Sequence, residues 1–124
     1  MYTYKIEQAI KAAALLHHDQ LRKGPMELPF ITHPVSVLTI LRDYTEDEDT
    51  LVAALLHDTV EDTDYTFSEM TTDFGEQVTT IVKAVTQPES TPEHKLSWLE
   101  IKIAYAKQIK KGPIEAAMVA AADK

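Results

Sequence analysis

One histidine and three acids lie close together near the middle of the chain, in the string His57-Asp58-Thr-Val-Glu61-Asp62. The string follows Leu51–Leu56, an apolar run that would be buried on every side if it forms a helix. In a continuous helix, His57 and Glu61 would lie one turn apart on one face, as would the two aspartates. Burying ionised carboxylates is costly, so the pattern indicates a bound cation or a polar cleft. The alternative is an acidic helix end in solvent.

Four side chains form a candidate metal site, namely His33, His57, Asp58 and Asp123. They are far apart in sequence, so only the fold could bring them together. Two imidazoles and two carboxylates suit a borderline divalent ion such as manganese, iron, cobalt or zinc, whereas magnesium prefers oxygen ligands and water. A divalent ion of this kind lowers the pKa of a water that it binds. Glu61 and Asp62, one turn further on, could accept the proton of that water.

Length and composition describe one domain that spans residues 1–124, because 124 residues can bury one core and leave little room for a second. The net charge of −8 argues against a nucleic-acid groove, which needs clustered lysine and arginine. No apolar stretch approaches the ~20 residues that cross a bilayer, and the N-terminus lacks the regions of a signal peptide. The absence of cysteine excludes disulfides and suits a reducing compartment. We therefore expect a cytoplasmic protein that contacts neither nucleic acid nor membrane.

Hydrophobic periodicity and capping signals predict an all-α domain with almost no strand signal. The expected helices cover about 3–22, His33 to Leu41, the apolar run after a capping box at Thr45–Glu48, a short helix from a capping box at Thr66–Glu69 to Phe74, then 76–86, 93–111 and 114–124. A loop is expected at 24–29, where a glycine and two prolines interrupt regular structure.

The last segment is expected to be buried, because residues 116–122 are apolar on all sides. It would carry Asp123 into an apolar environment immediately before the sequence ends. No glycine cap or polar turn closes the helix, so we expect a fragment of a longer domain, truncated at its C-terminus. Two consequences are expected. The metal would be weakly held or absent in this chain, since helix ends fray, and exposed apolar surface would allow a homodimer.

The string around His57 and Asp58, with an Ala/Leu-rich helix before it and a His-Pro pair upstream, resembles the HD-domain metal-dependent phosphohydrolases. It is most similar to their alarmone-hydrolase branch, which comprises the hydrolase domain of RelA/SpoT proteins and small stand-alone hydrolases. The other matching segments follow in order along the chain: His17-x-x-Gln20-x-Arg22-Lys23-Gly24, Pro29-Phe30-Ile31-Thr32-His33-Pro34, Phe74-Gly75 and Ala122-Asp123-Lys124. A second His-Asp pair, His18-Asp19, stands outside the pattern.

The resemblance implies an all-helical HD fold with one divalent ion, most often manganese, held by the candidate metal site. It implies that Glu61 and Asp62 activate water and that Arg22 and Lys23 bind phosphate, a guanidinium through paired N–H groups and an ammonium as a point charge. The implied reaction removes the 3′-pyrophosphate from guanosine tetra- or pentaphosphate and leaves GDP or GTP. A small nucleotide is therefore the expected partner.

Two other functions stay open. The chain could hydrolyse another nucleotide or phosphate ester, because the branch places an asparagine one turn after its last metal-binding aspartate and the sequence stops at Lys124. It could also be a non-catalytic nucleotide-sensing module, although a binder has no need of a water-activating pair.

The sequence also predicts how exposed several aromatic residues and histidines are. Trp98 and Tyr105 share a helical face and are expected as core anchors rather than as a stacking platform for a base. His17 is expected in the core or on a helix surface, and His18 and His94 at the surface.

Overall fold

A computed structural model of the chain describes residues 2–88 and 95–123. Within these ranges the chain forms eight helices, α1 Tyr4–Leu16, α2 Thr32–Leu41, α3 Glu48–Leu56, α4 Thr59–Asp62, α5 Phe67–Phe74, α6 Glu76–Val85, α7 Trp98–Lys111 and α8 Ile114–Ala122. The only strand-like pairing in the described ranges is an isolated antiparallel bridge between Leu21 and Pro29. The prediction of an all-α fold is confirmed.

Helix α3 is the centre of the fold. Its residues from Thr50 to Leu56 are all buried, as predicted from the apolar run. Helices α1, α2, α6 and α8 pack around it, which explains why a segment without a polar face is stable here. The residue that follows the helix, His57, is buried as well.

Helix α1 ends at Leu16, well before the predicted end at Arg22. The reason is that the next residues form hydrogen bonds across a loop instead of along a helix. The Nδ1 of His17 lies 2.8 Å from the Oε1 of Gln20, and the carbonyl of Gln20 accepts from the N–H of Phe30 at 2.9 Å. These contacts close the loop that the glycine and the prolines predicted.

Helix α3 begins later than the predicted capping box at Thr45–Glu48 implies, because Asp47 is its N-cap. The Asp47 carboxylate accepts from the N–H of Thr50 at 3.1 Å. The Thr45 hydroxyl instead accepts from the N–H of Asp47 at 3.1 Å. A carboxylate caps a helix better than a hydroxyl here, because its full charge also interacts with the helix dipole. The second predicted capping box, at the start of α5, is confirmed.

Helix α7 begins at Trp98, later than predicted, with Ser97 as its N-cap. Residues 89–94, including His94, lie outside the described residues. No residue of α7 is buried, and Trp98 is 72% exposed, so its interpretation as a core anchor is wrong. The physical reason is that α7 lies at the edge of the fold, where α6 and α8 are its main packing partners.

Helix α8 packs against α2, α3 and α6. Only Ala116 and Val119 are buried, so the prediction of burial on all sides is wrong. An apolar cavity of about 400 Å³ lies open between α8 and α2, and Ala121 and Tyr44 are among its lining residues. Short alanine side chains do not reach across this gap. The expected homodimer stays a prediction. In the described part of the chain, no helix is both long enough and apolar enough to cross a membrane.

Candidate metal centre and adjoining cleft

Helix α3 stops at Leu56 because side chains take the carbonyls that would continue it. The Nδ1 of His57 lies 2.6 Å from the carbonyl oxygen of Ala54, and the hydroxyl of Thr59 donates to the carbonyl of Leu56 at 2.7 Å. In a longer helix, backbone N–H groups one turn later would use these carbonyls. The chain then forms the single turn α4. The histidine and the three acids are therefore divided between two elements, which differs from the continuous helix predicted from their spacing.

The fold brings the four residues of the candidate metal site together. His33 comes from the first turn of α2, His57 and Asp58 from the link between α3 and α4, and Asp123 from the end of α8. One donor atom of each residue lies within 4.8 Å of all the others. The Oδ1 of Asp123 is 2.8 Å from the Nε2 of His33 and 3.2 Å from the Nε2 of His57. The Nε2 of His57 is also 3.1 Å from the Oδ2 of Asp58.

The orientation of His57 suits a metal ligand. Its Nδ1–H donates to the Ala54 carbonyl, so Nε2 faces the carboxylates. A backbone partner on the far ring nitrogen is the usual arrangement for a metal-binding histidine. The His57 side chain is 5% exposed and that of Asp123 is 33% exposed, so the cluster is open on one side. Two imidazole nitrogens and two carboxylate oxygens in this arrangement fit a borderline divalent ion.

The electrostatics of the cluster favour a positive charge. Burial lowers the pKa of His57, but hydrogen bonds with Asp123 and Asp58 outweigh burial and raise that pKa to about 10. The hydrogen bond with His57 in turn lowers the pKa of Asp123, against the effect of its own burial. The two carboxylates therefore stabilise a cation beside the imidazoles, and a metal ion and a proton would compete for the Nε2 of His57.

A cleft of about 610 Å³ adjoins this cluster. Its lining residues come from the loop after α1, from α2, from the α3–α4 link and from α4, namely Gln20, Leu21, Arg22, Lys23, Phe30, His33, Asp58 and Asp62. Arg22 is half-buried, and its Nη1 donates to the Thr32 hydroxyl at 3.3 Å. Lys23 is exposed. The structure therefore places both predicted phosphate ligands in the same cleft as two residues of the candidate metal site.

The two acids of α4 have different surroundings. Asp62 lines the cleft, whereas the Oε1 of Glu61 accepts from the backbone N–H of Gln87, beyond the end of α6, at 2.7 Å. Partial burial raises the pKa of both carboxyl groups; for Glu61 the Gln87 bond opposes the rise, and the charge of Asp58 adds to it in both. Asp62 is therefore the better placed of the two to accept a proton in the cleft. The sequence did not separate their roles.

Sequence reasoning assigned no role at the site to two residues that lie beside it. Gln20 lines the cleft, and its Nε2 donates to the backbone carbonyl of Asp62 at 2.8 Å. Its position three residues after His17 was the available signal, because that spacing lets two polar side chains meet after a helix end. Tyr105 is half-buried, and its pKa is raised by burial and then by nearby carboxylates, Asp123 first. No sequence signal placed Tyr105 near the acids. His18 is exposed, as predicted.

Comparisons with known proteins show what the chain is similar to. A family model described as an HD domain matches residues 9–124. A guanosine-3′,5′-bis(diphosphate) 3′-pyrophosphohydrolase of Drosophila melanogaster is 39% identical over 109 residues, which cover 84% of this chain and 61% of that protein. A GTP pyrophosphokinase of Streptomyces coelicolor is 47% identical over 83 residues, which cover 67% of this chain and 10% of that protein. The chain thus spans between 10% and 61% of the length of these two relatives.

Two solved structures share the fold. The first is described as a metazoan ortholog of SpoT that hydrolyzes ppGpp and plays a role in starvation responses. It matches with a TM-score of 0.87 and 35% identity, over 99% of this chain and 67% of that chain. The second is a crystal structure from Listeria monocytogenes EGD-e, with a TM-score of 0.64 and 36% identity over 77% of this chain and 57% of that chain.

Proposed function

The chain belongs to the HD-domain family, and from that premise we propose that it is a metal-dependent phosphohydrolase of guanosine tetra- and pentaphosphate. The products would be pyrophosphate and GDP or GTP. The observation that carries the proposal is the convergence of the four metal-site residues beside a cleft that contains Arg22 and Lys23. Relatives named as hydrolases of this nucleotide support the choice of substrate.

We assign His33, His57, Asp58 and Asp123 as ligands of one divalent ion. Manganese is the proposed ion, because the donor set suits a borderline metal and the resemblance favours manganese. When bound, such an ion lowers the pKa of a water molecule and offsets phosphate charge.

Residues around the ligands would bind the phosphate groups and accept the proton of the attacking water. The Arg22 guanidinium would bind phosphate oxygens through paired N–H groups, since its Thr32 contact holds it in the cleft. Lys23 would add charge at the exposed rim. The Asp62 carboxylate would accept the proton of the attacking water, a role that its raised pKa suits. The water oxygen would bond to phosphorus as the bond from phosphorus to the ribose 3′ oxygen breaks. That oxygen would leave as a hydroxyl after it takes up the proton that Asp62 accepted from the water.

Glu61 would act less directly than its partner. Its carboxylate is already engaged by the Gln87 backbone, so it would hold α4 against the end of α6. The water-activating pair predicted from the sequence would thus consist of one proton acceptor and one supporting acid.

The test is a nucleotide assay with a matched pair of double variants. The purified chain is incubated with ppGpp and MnCl₂, and anion-exchange chromatography separates the products. We expect GDP and pyrophosphate in equal amounts. A His57→Ala/Asp58→Asn variant should lose at least about 100-fold in rate, because a catalytic metal contributes several kcal/mol to the transition state. The matched control is His18→Ala/Asp19→Asn, the same dipeptide at the surface, which should keep full activity.

Each contrary result has a definite meaning. A chain that binds Mn²⁺ but does not turn over ppGpp would refute the proposed substrate. Release of orthophosphate or pyrophosphate from a different nucleotide would support the alternative phosphohydrolase. Binding of ppGpp with equal affinity and without product, by both the wild type and a Glu61→Gln/Asp62→Asn variant, would support the sensing module.

A further inference from the structure

The single turn α4 depends on the rest of the chain for its position. It spans Thr59–Asp62, and its backbone bonds include Asp62 N–H to Asp58 carbonyl and Thr63 N–H to Thr59 carbonyl, both 3.0 Å. Helices this short are unstable alone, because nucleation orders several residues for each hydrogen bond gained. The last carbonyls of any helix also need partners from outside it. The position of Asp62 in the cleft is therefore set by contacts from other elements.

Gln20 supplies one of these contacts from the opposite wall of the cleft. Its Nε2 donates to the backbone carbonyl of Asp62 at 2.8 Å. The backbone of Gln20 is fixed at both ends, because its N–H donates to the His17 carbonyl and its carbonyl accepts from the Phe30 N–H, both at 2.9 Å. The amide group of Gln20 therefore extends from a closed loop and not from a free helix end.

His17 sets the orientation of that amide. Its Nδ1 lies 2.8 Å from the Oε1 of Gln20. An amide oxygen only accepts hydrogen bonds, so Nδ1 carries the proton and the NH₂ group of Gln20 is turned toward Asp62. The imidazole is 2% exposed, and its centroid lies 4.5 Å from that of the Phe30 ring. A buried ring held in this way leaves the amide one favourable orientation.

The second nitrogen of the His17 ring supports the importance of the bond between His17 and Gln20. Its Nε2 is buried and has no hydrogen-bond partner in the described ranges. Burying an imidazole with one unsatisfied nitrogen opposes folding, and a leucine or phenylalanine would fill the same space without that cost. The bond to Gln20 is the polar interaction that the His17 side chain makes within the described residues.

We propose that Gln20 is a positioning residue that sets where the carboxylate of Asp62 stands in the cleft, and that His17 sets the orientation of Gln20. The inference rests on the proposed function, which makes Asp62 the proton acceptor. Gln87 holds the same turn from the other side through Glu61. Loss of the Gln20 bond removes no metal ligand and neither cation of the cleft. The chemical step should therefore slow while substrate binding is retained.

The test uses Gln20→Met, which keeps the length of the side chain and removes both polar atoms. The matched control is Gln77→Met, at an exposed position on α6. With ppGpp and Mn²⁺, kcat of Gln20→Met should fall about 10- to 100-fold, because a misplacement of about 1 Å has effects of this size. KM and the Kd for Mn²⁺ should change less than about twofold, since neither reports on the proton acceptor. Rates are divided by the folded fraction from thermal unfolding, which separates positioning from lost stability.

Hydrogen exchange supplies a readout that does not depend on activity. The Thr63 N–H, bonded to the Thr59 carbonyl, reports opening of α4. We expect it to exchange faster in Gln20→Met than in the wild type and in Gln77→Met. If the wild type does not hydrolyse ppGpp, the proposed function fails, and this measurement still decides whether Gln20 holds α4.

Three results would overturn the inference. They are equal Thr63 exchange in Gln20→Met and wild type, an unchanged kcat, and a joint change of kcat and KM that merely follows the melting temperature. Faster exchange together with a fall in kcat alone supports it.

Discussion

Replacing the carboxylate of Asp62 with an amide should stabilise the metal-free fold while it removes activity. Burial raises the pKa of Asp62, and the charge of Asp58 raises it further, so the fold disfavours the ionised form. Asp62→Asn removes that charge and keeps the backbone carbonyl that accepts from Gln20. Because the Asp62 side chain is only partly buried and most of it faces solvent, the gain should resemble that from relieving a like-charge pair at a surface, about 0.3–1 kcal/mol. For a chain of this length the melting temperature should rise by about 1–4 °C.

The pH dependence of this gain has a definite sign. A carboxyl group whose pKa is raised by folding destabilises the fold above its folded pKa, and the effect vanishes below its unfolded pKa of about 3.9. The advantage of Asp62→Asn should therefore be complete at about pH 7.5 and absent at about pH 3.

Thermal unfolding in EDTA at these two pH values measures the effect. The control is Asp64→Asn, an exposed aspartate shortly after α4. With Mn²⁺ and ppGpp, the Asp62→Asn variant should lose at least about 100-fold in kcat, the usual contribution of a proton-transfer group. An unchanged or lower melting temperature at the higher pH, or an equal gain at both pH values, would refute the reasoning.

Three further outcomes test the fold and the metal site. Tyr65→Phe removes a 2.8 Å hydrogen bond to the Asp73 carboxylate, and urea unfolding should show a loss of about 1 kcal/mol; an unchanged midpoint would contradict that bond. Gly75 has φ +98° and ψ 166°, and an added Cβ would meet no atom within 4 Å apart from its chain neighbours. Gly75→Ala should therefore cost about 1–3 kcal/mol in the same assay from backbone strain alone. Mn²⁺ at about 100 times its Kd should stabilise the fold by about 2.7 kcal/mol. EDTA should reverse this gain, and Asp123→Asn should reduce it. A melting temperature that calorimetry finds unchanged by Mn²⁺ would argue against the site.

The sequence predicted the buried centre of the fold because the signal there is local and strong. The run Leu51–Leu56 contains no polar residue, so any helix it forms must be enclosed by others, and α3 is enclosed. The capping box at Thr66 is equally local, since both of its hydrogen bonds join residues three apart. The metal site is different. No periodicity links His33 to Asp123, and the resemblance was needed to support both choices; the fold brings them together, while their role as ligands stays a prediction.

The predicted end of α1 was wrong because a segment later in the chain supplies the hydrogen-bond partners. Helix α1 ends at Leu16, and the Gln20 carbonyl accepts from the backbone N–H of Phe30. The spacing of apolar residues before Arg22 gives no information about that partner. The exposure of Trp98 has a related cause. Helical spacing shows which residues share a face, but the neighbours of α7 decide whether that face is covered.

The end of helix α3 at Leu56 also positions the residues of the site. A continuous helix would pair the Ala54 carbonyl with a backbone N–H and leave the ring of His57 free to rotate. Because His57 takes that carbonyl itself, its Nε2 is held toward the carboxylates, and the chain turns before α4 begins. That turn directs Asp62 into the cleft and Glu61 toward Gln87. The His57 bond therefore orients a proposed ligand and, together with the Thr59 bond to the Leu56 carbonyl, ends the most buried helix and separates the two acids. His57→Ala should alter the path of α4 as well as the metal site.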